Sequence, residues 1–178
     1  MSGKDYIGKV QGERSLLEKI MGYVPGYHGY KEKELRRESD RLVRMEAVNR
    51  LKAAKMAIRR SFSNPTIVQN LSSEDSYRFD ALMSRLDRVT QRVDRAVAGY
   101  QGMFDAVKVK EDKLDTVIQH DVSLIEKSEG LKADCEQIAK MKPADDQWGT
   151  EMDTLISKVE EFDALIDERS NILRGLGG

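Results

Sequence analysis

The sequence predicts an all-α fold: an elongated antiparallel helical bundle, coiled-coil-like, with three or four long helices. Three observations carry this. Read alternately three and four apart, the stretch from Phe79 through Leu82, Leu86 and Val89 to Ile138 gives eighteen seam positions. Fifteen of them are apolar, the exceptions being Lys110, Asp121 and Ser128, and the phase never slips. Neighbouring positions such as Met83, Val97, Ile118 and Ile125 widen the stripe to about three positions in seven, which suits several helical neighbours. Charged residues make up 34% of the chain and aromatics 6%, with prolines only at 25, 65 and 143, a profile of long helices rather than a sheet.

In chain order, residues 1–29 read as a leader. Its first twelve residues carry three glycines and little pattern, and Glu13 to Met21 supports two helical turns with Leu16, Leu17 and Ile20 on one side. The run Gly22-Tyr23-Val24-Pro25-Gly26-Tyr27-His28-Gly29-Tyr30 breaks any helix repeatedly. Tyr23, Tyr27 and Tyr30 are expected to form an aromatic strap across the end of the bundle, with an exposed docking surface as the alternative. The bundle then occupies residues 30–178.

Its first long helix is expected over about 30–62, with Leu35, Leu42, Val48, Leu51, Ile58 and Phe62 inward. Asn64-Pro65 stops it. Residues 63–72 connect to a second helix that starts after Ser72 and Ser73, where hydroxyl caps precede Glu74 and Asp75. We expect helices over about 73–98 and 103–141, hinged near Gly99-Tyr100-Gln101-Gly102. One continuous helix over 73–141, about 100 Å long, is the alternative. Residues 142–149 read as a loop containing Trp148. The last helix is expected over 150–174, capped by Thr150 with Asp153, with Met152, Leu155, Val159, Phe162, Ile166 and Leu173 as its seam.

Charge is divided unevenly. Residues 1–110 carry net +8 and residues 111–178 net −9, giving −1 overall. Either basic helices lie against acidic ones, which we favour, or a basic face meets an anionic surface. Arg78, Arg85, Arg88, Arg92 and Arg95 form a row along the second long helix and are the candidate surface for phosphates or for a protein partner. Asp80, Asp87 and Asp94 keep pace with that row, which dilutes its field.

Little else carries chemistry. Neither His28 nor His120 follows a glutamate by three, so the di-iron Glu-x-x-His motif is missing. One cysteine and two histidines make a zinc site improbable, and no glycine-rich phosphate loop occurs. We expect no enzymatic activity, no cofactor and no small-molecule substrate. The lone Cys135 lies on the seam and reads as a core residue. With no disulfide framework, the protein is expected to be cytoplasmic. Asp121, on the seam, is expected to meet a Lys or Arg of a neighbouring helix or to lie near solvent at a loosened point.

The segment GYVPGYHGYKEKELRRESDRLVR, Gly22 to Arg44, resembles the opening of an uncharacterised prokaryotic helical family that shares a Pro-Gly-Tyr-x-Gly-Tyr-Lys-Glu-Lys-Glu run before a basic helix. The resemblance implies a prokaryotic source and a helical fold, and no activity. Together these readings point to a non-enzymatic scaffold or adaptor that works by protein–protein, including self-, association. A peripheral binder of anionic membrane or nucleic acid is the alternative.

Overall fold

A computed structural model describes residues 3–96, 111–143 and 145–175. The described residues form helices and no strand. They are α1 (Gly3–Tyr23), a 3-10 turn (Lys33–Leu35), α2 (Arg36–Ser61), α3 (Pro65–Gln69), α4 (Ser73–Asp94), α5 (Glu111–Ile138) and α6 (Asp146–Gly175).

The heptad phase read from the sequence is the phase that is buried. Leu82, Leu86, Val89 and Val93 on α4, and Val117, Leu124, Leu131 and Cys135 on α5, all face the core. So do the six seam residues expected of α6. On α2 the buried stripe is rotated slightly from the expected one. Leu35 and Leu42 are only half-buried, while Val43, Ala47 and Ala54 are enclosed.

Which helices neighbour which can be read from their side-chain pairs. The Arg44 guanidinium donates to the Asp94 carbonyl at 2.9 Å, Lys55 pairs with Asp87, and Phe62 stacks on Phe79 at 4.2 Å, so α2 and α4 run antiparallel. Lys158 reaches Asp134 at 2.7 Å and Arg169 reaches Asp121, so α5 and α6 also run antiparallel. Arg78 pairs with Asp153 and Arg85 with Glu160, each at 2.9 Å, so α4 and α6 are parallel. Arg50 meets Glu129 at 2.7 Å, and Asp40 and Asp121 share Arg169, so α2 and α5 are parallel too. Neighbours of both senses therefore surround the core. Since α4 opposes α2 and α5 follows it, α4 and α5 point in opposite directions, which removes a single straight helix over 73–141. Helix α4 ends at Asp94, and the Arg95 N–H bonds back to Gln91 and Val93. The expected hinge at Gly99–Gly102 lies outside the described residues.

Three expected boundaries are corrected. Helix α1 starts at Gly3 rather than near Glu13. No proline interrupts residues 3–23, each glycine costs a helix only about 1 kcal/mol, and docking of Ile20 on the core supports the whole segment. The first long helix begins at Arg36 rather than Tyr30, because Gly29, with φ 74°, and Tyr30 still belong to the strap. The last helix begins at Asp146 rather than Thr150, and Trp148 sits inside its first turn, 1% exposed. Asp145 caps this turn, its side chain accepting from the Gln147 N–H and its carbonyl from the Gly149 N–H. Burial of the indole against Phe62, 5.8 Å between ring centroids, outweighs the loop-forming Pro143 nearby. Ser72 does cap α4, its Oγ accepting from the Asp75 N–H at 3.0 Å.

Burial pushes the Cys135 thiol up to about 12 and leaves it inaccessible. A thiol reagent at pH 8 is therefore expected to label Cys135 only as fast as the chain unfolds. Labelling of the native protein on the timescale of a free thiol, with circular dichroism unchanged, would contradict this packing.

Candidate functional site: arginine row, tyrosine strap and a buried charge cluster

The arginine row faces the acidic last helix. Each arginine from Arg78 to Arg92 meets the carboxylate that follows it by 75 residues: Asp153, Glu160, Asp163 and Asp167 in turn. Arg92 also bonds Asp163, and Arg78 gathers Glu74 and Asp75 from its own helix. The constant offset follows from parallel packing of two helices with the same seven-residue repeat. These guanidiniums are engaged, and only Arg95, exposed at the end of α4, makes no ion pair among the described residues. The row is thus the flank of an internal helix pair.

The strap is equally committed. Tyr27 and Tyr30 are each 1% exposed, which removes them from a docking surface. Tyr23 is half-buried, with the Arg50 guanidinium 5.8 Å from its ring centroid and its hydroxyl 3.4 Å from Glu126. Gly26 and Gly29 have φ of 83° and 74°, a region that L side chains rarely occupy. A Cβ at Gly29 would also touch Leu17 at 3.4 Å, so the strap runs close beneath α1. Ser39 fastens the strap to α2. Its hydroxyl donates to the Gly29 carbonyl at 2.9 Å and accepts from the His28 N–H at 3.2 Å.

Both tyrosine hydroxyls point at one carboxylate. Tyr27 and Tyr30 donate to Asp121 Oδ2 at 3.0 and 2.7 Å, while Arg169 Nε and Nη2 donate to Oδ1 at 2.9 and 2.7 Å. Arg169 Nη1 bonds Asp40 Oδ1 at 3.0 Å, and Arg44 Nε closes on Asp40 Oδ2 at 2.8 Å. Asp40, Asp121 and Arg169 are 2% exposed or less. The cluster holds two carboxylates and two guanidiniums, so it is neutral, and it joins the strap, α2, α5 and α6. Burial raises the Asp121 carboxyl above the usual carboxylate range, against the pull of Arg169 and the Tyr30 hydrogen bond. Burial, reinforced by the Asp121 charge, likewise raises both phenols.

Asp121 meets a neighbouring arginine as expected. Arg169 and Asp40, the other half of the cluster, escaped the sequence reading. The signal was present: Arg169 lies three after Ile166 and four before Leu173, on the α6 seam. Asp40 stands in the same way before Arg44 and Ala47 on α2. Chemically the cluster is closed. Its carboxylate oxygens are occupied by donors from the chain, and it can hold helices in register but offers no free base. Among the described residues, no group of three His, Cys, Asp or Glu side chains is placed to hold a metal ion. No helix among them is long and apolar enough to cross a membrane. No protein-family model, curated protein or solved structure matches the chain.

Removing one partner of such a cluster leaves a buried charge uncompensated, at about 3–5 kcal/mol. Arg169→Leu is expected to lower unfolding stability at pH 7 by that amount. The folded Asp121 carboxyl binds its proton above the ordinary value, so stability falls as pH rises from 3.8 through the raised folded value. Losing Arg169 raises that upper limit further. The deficit of Arg169→Leu relative to the parent should therefore shrink as pH is lowered from 7 to 5 in urea titrations. On the flank, Arg92→Glu should cost about 1 kcal/mol, in the range of partly exposed ion pairs. Adding Asp167→Arg should recover part of it, measured by the same titrations.

Proposed function

We propose that this chain is a non-enzymatic helical scaffold or adaptor. It would act as an elongated bundle in which the antiparallel hairpins α2–α4 and α5–α6 lie side by side. Its work would be done through protein–protein association, with a cytoplasmic location and a prokaryotic source as parts of the same reading. One observation supports this above the alternative: four of the five arginines that would serve an anionic surface are already held by carboxylates of α6. A phosphate would have to displace a partner that is tethered at every turn, and such displacement gains little. The closed hydrogen bonding of the Asp40–Asp121–Arg169 cluster supports structure rather than catalysis there, since a catalytic acid needs a substrate within hydrogen-bond reach.

The reading predicts no detectable binding of the purified chain to phosphatidylserine vesicles or duplex DNA at low salt. Salt-sensitive binding that disappears in the charge-reversed variant Arg85→Glu/Arg92→Glu, with its fold retained, would transfer the function to the alternative. Light scattering across a concentration series measures the self-association arm directly. A mass that rises above 20.2 kDa with concentration is the outcome expected of a self-associating scaffold.

A further inference from the structure

The turn between α2 and α4 leaves an open apolar groove of about 690 Å³. Its walls are Met56, Phe62, Val68, Leu71 and Phe79. Met56 is 53% exposed and Val68 50%, among the few large apolar side chains that the fold leaves in water. Helix α3, which carries Val68, buries none of its residues. It is held by Asn64, whose side chain accepts from the Thr66 N–H at 3.0 Å. The turn therefore holds apolar side chains over the groove without covering it.

Charge says what would cover it. Arg59 and Arg60 stand on its rim, exposed, and neither guanidinium meets a carboxylate among the described residues. Arg78, Arg85, Arg88 and Arg92 of α4 find acidic partners on α6, whereas this pair is left over. Lys52, about two turns earlier on α2, is also exposed and unpaired among the described residues. The position of Arg59 and Arg60 in the last turn of α2 favours cations there, since helix C-termini carry partial negative charge. That accounts for their sign but not for two exposed apolar side chains beside them. Asp80 on the far side is a single opposing charge.

We infer that this groove docks a helical segment of a partner protein, with apolar side chains at three- and four-residue spacing and carboxylates along one flank. The inference rests on the adaptor reading and gives it a surface. The apolar face of the segment would seat on Met56, Phe79 and Val68, and its carboxylates would meet Arg59 and Arg60. Apolar anchors would supply affinity, and the arginines would set orientation and association rate.

The test is selection of displayed random dodecapeptides against the full chain, followed by titration of the enriched peptides as synthetic samples. Enriched sequences are expected to be acidic with helically spaced apolar residues. Their binding should weaken about tenfold or more in Arg59→Glu/Arg60→Glu and in Val68→Asp. Both variants alter exposed residues and should stay folded at the assay temperature; Val68→Asp should melt with the parent, and Arg59→Glu/Arg60→Glu slightly below it, since it places acids at a helix C-terminus. Enrichment of basic or uncharged peptides, equal binding to the variants, or no enrichment would overturn the inference. So would binding of phosphatidylserine vesicles that depends on Arg59 and Arg60, which would make the groove a membrane contact. Cross-linking with cell extract separates the two levels. A partner held equally by the parent and both variants leaves the adaptor standing without this groove. No partner and no self-association removes the adaptor reading itself.

Discussion

A carboxylate buried on the seam of α5 constrains much of the remaining structure. Asp121 is 0% exposed and its charge must be compensated where it stands. Compensation comes from Arg169 on α6 and from two hydroxyls of the strap, while Asp40 on α2 balances the second face of Arg169. Slipping any of these helices by one turn, about 5.4 Å, would break several of these bonds together. Apolar heptads alone tolerate such slips, because every turn of a Leu and Val seam resembles the next. A buried polar contact does not, which is how a single polar seam position fixes register in coiled coils. The same contact explains why a glycine-rich, proline-containing strap is ordered: it delivers two donors that no helix position supplies.

The flank works by a different economy of charge. The α4 arginines and α6 carboxylates repeat with the same period, and parallel packing brings each pair to the same height. Individually these partly exposed pairs stabilise little. Collectively they discriminate, because sliding α4 against α6 by three or four residues would break the pairs at the 75-residue offset together. The net +8 of the front and −9 of the rear are thus a pairing code between segments. A parallel pair cannot be joined by a short loop, and α4 is indeed separated from α6 by the whole of α5.

The contrast between what could be read from the sequence and what could not follows from the kinds of force involved. Helical class and the buried faces of α4, α5 and α6 were legible, since periodic apolar spacing maps onto a face without tertiary knowledge. Ser72 was legible because a cap is a local bond. The start of α6 was not, because Trp148 is held by Phe62, eighty-six residues away, and no local rule weighs that burial against Pro143. Arg169 was passed over because its apolar neighbours on the seam made a charged entry look like a gap. The destination of the arginine row depended on relative helix direction, which a seven-residue repeat leaves open. Composition offered both readings, and only the pairing at offset 75 separates them.

Charge that is spent inside the fold cannot also recognise a partner. Arg78, Arg85, Arg88 and Arg92 lie where a binding surface was expected, yet each is neutralised by a side chain fixed in place by the helix beneath it. Arg59 and Arg60 lie where the hairpin turns and meet no carboxylate among the described residues, and there the pairing code ends. Helix ends are where a repeat loses its neighbours, so unpaired charge and uncovered apolar surface coincide there without conflict with the core. Met56 and Val68 meet that condition, whereas the methyl-rich interior of α2, with Ala47 and Ala54 enclosed, does not. In the proposed reading, the protein keeps its register at the strap end and leaves recognition to the opposite turn. Changes at Arg59, Arg60 or Val68 can then alter partner choice while the buried cluster, one helix length away, continues to hold the fold.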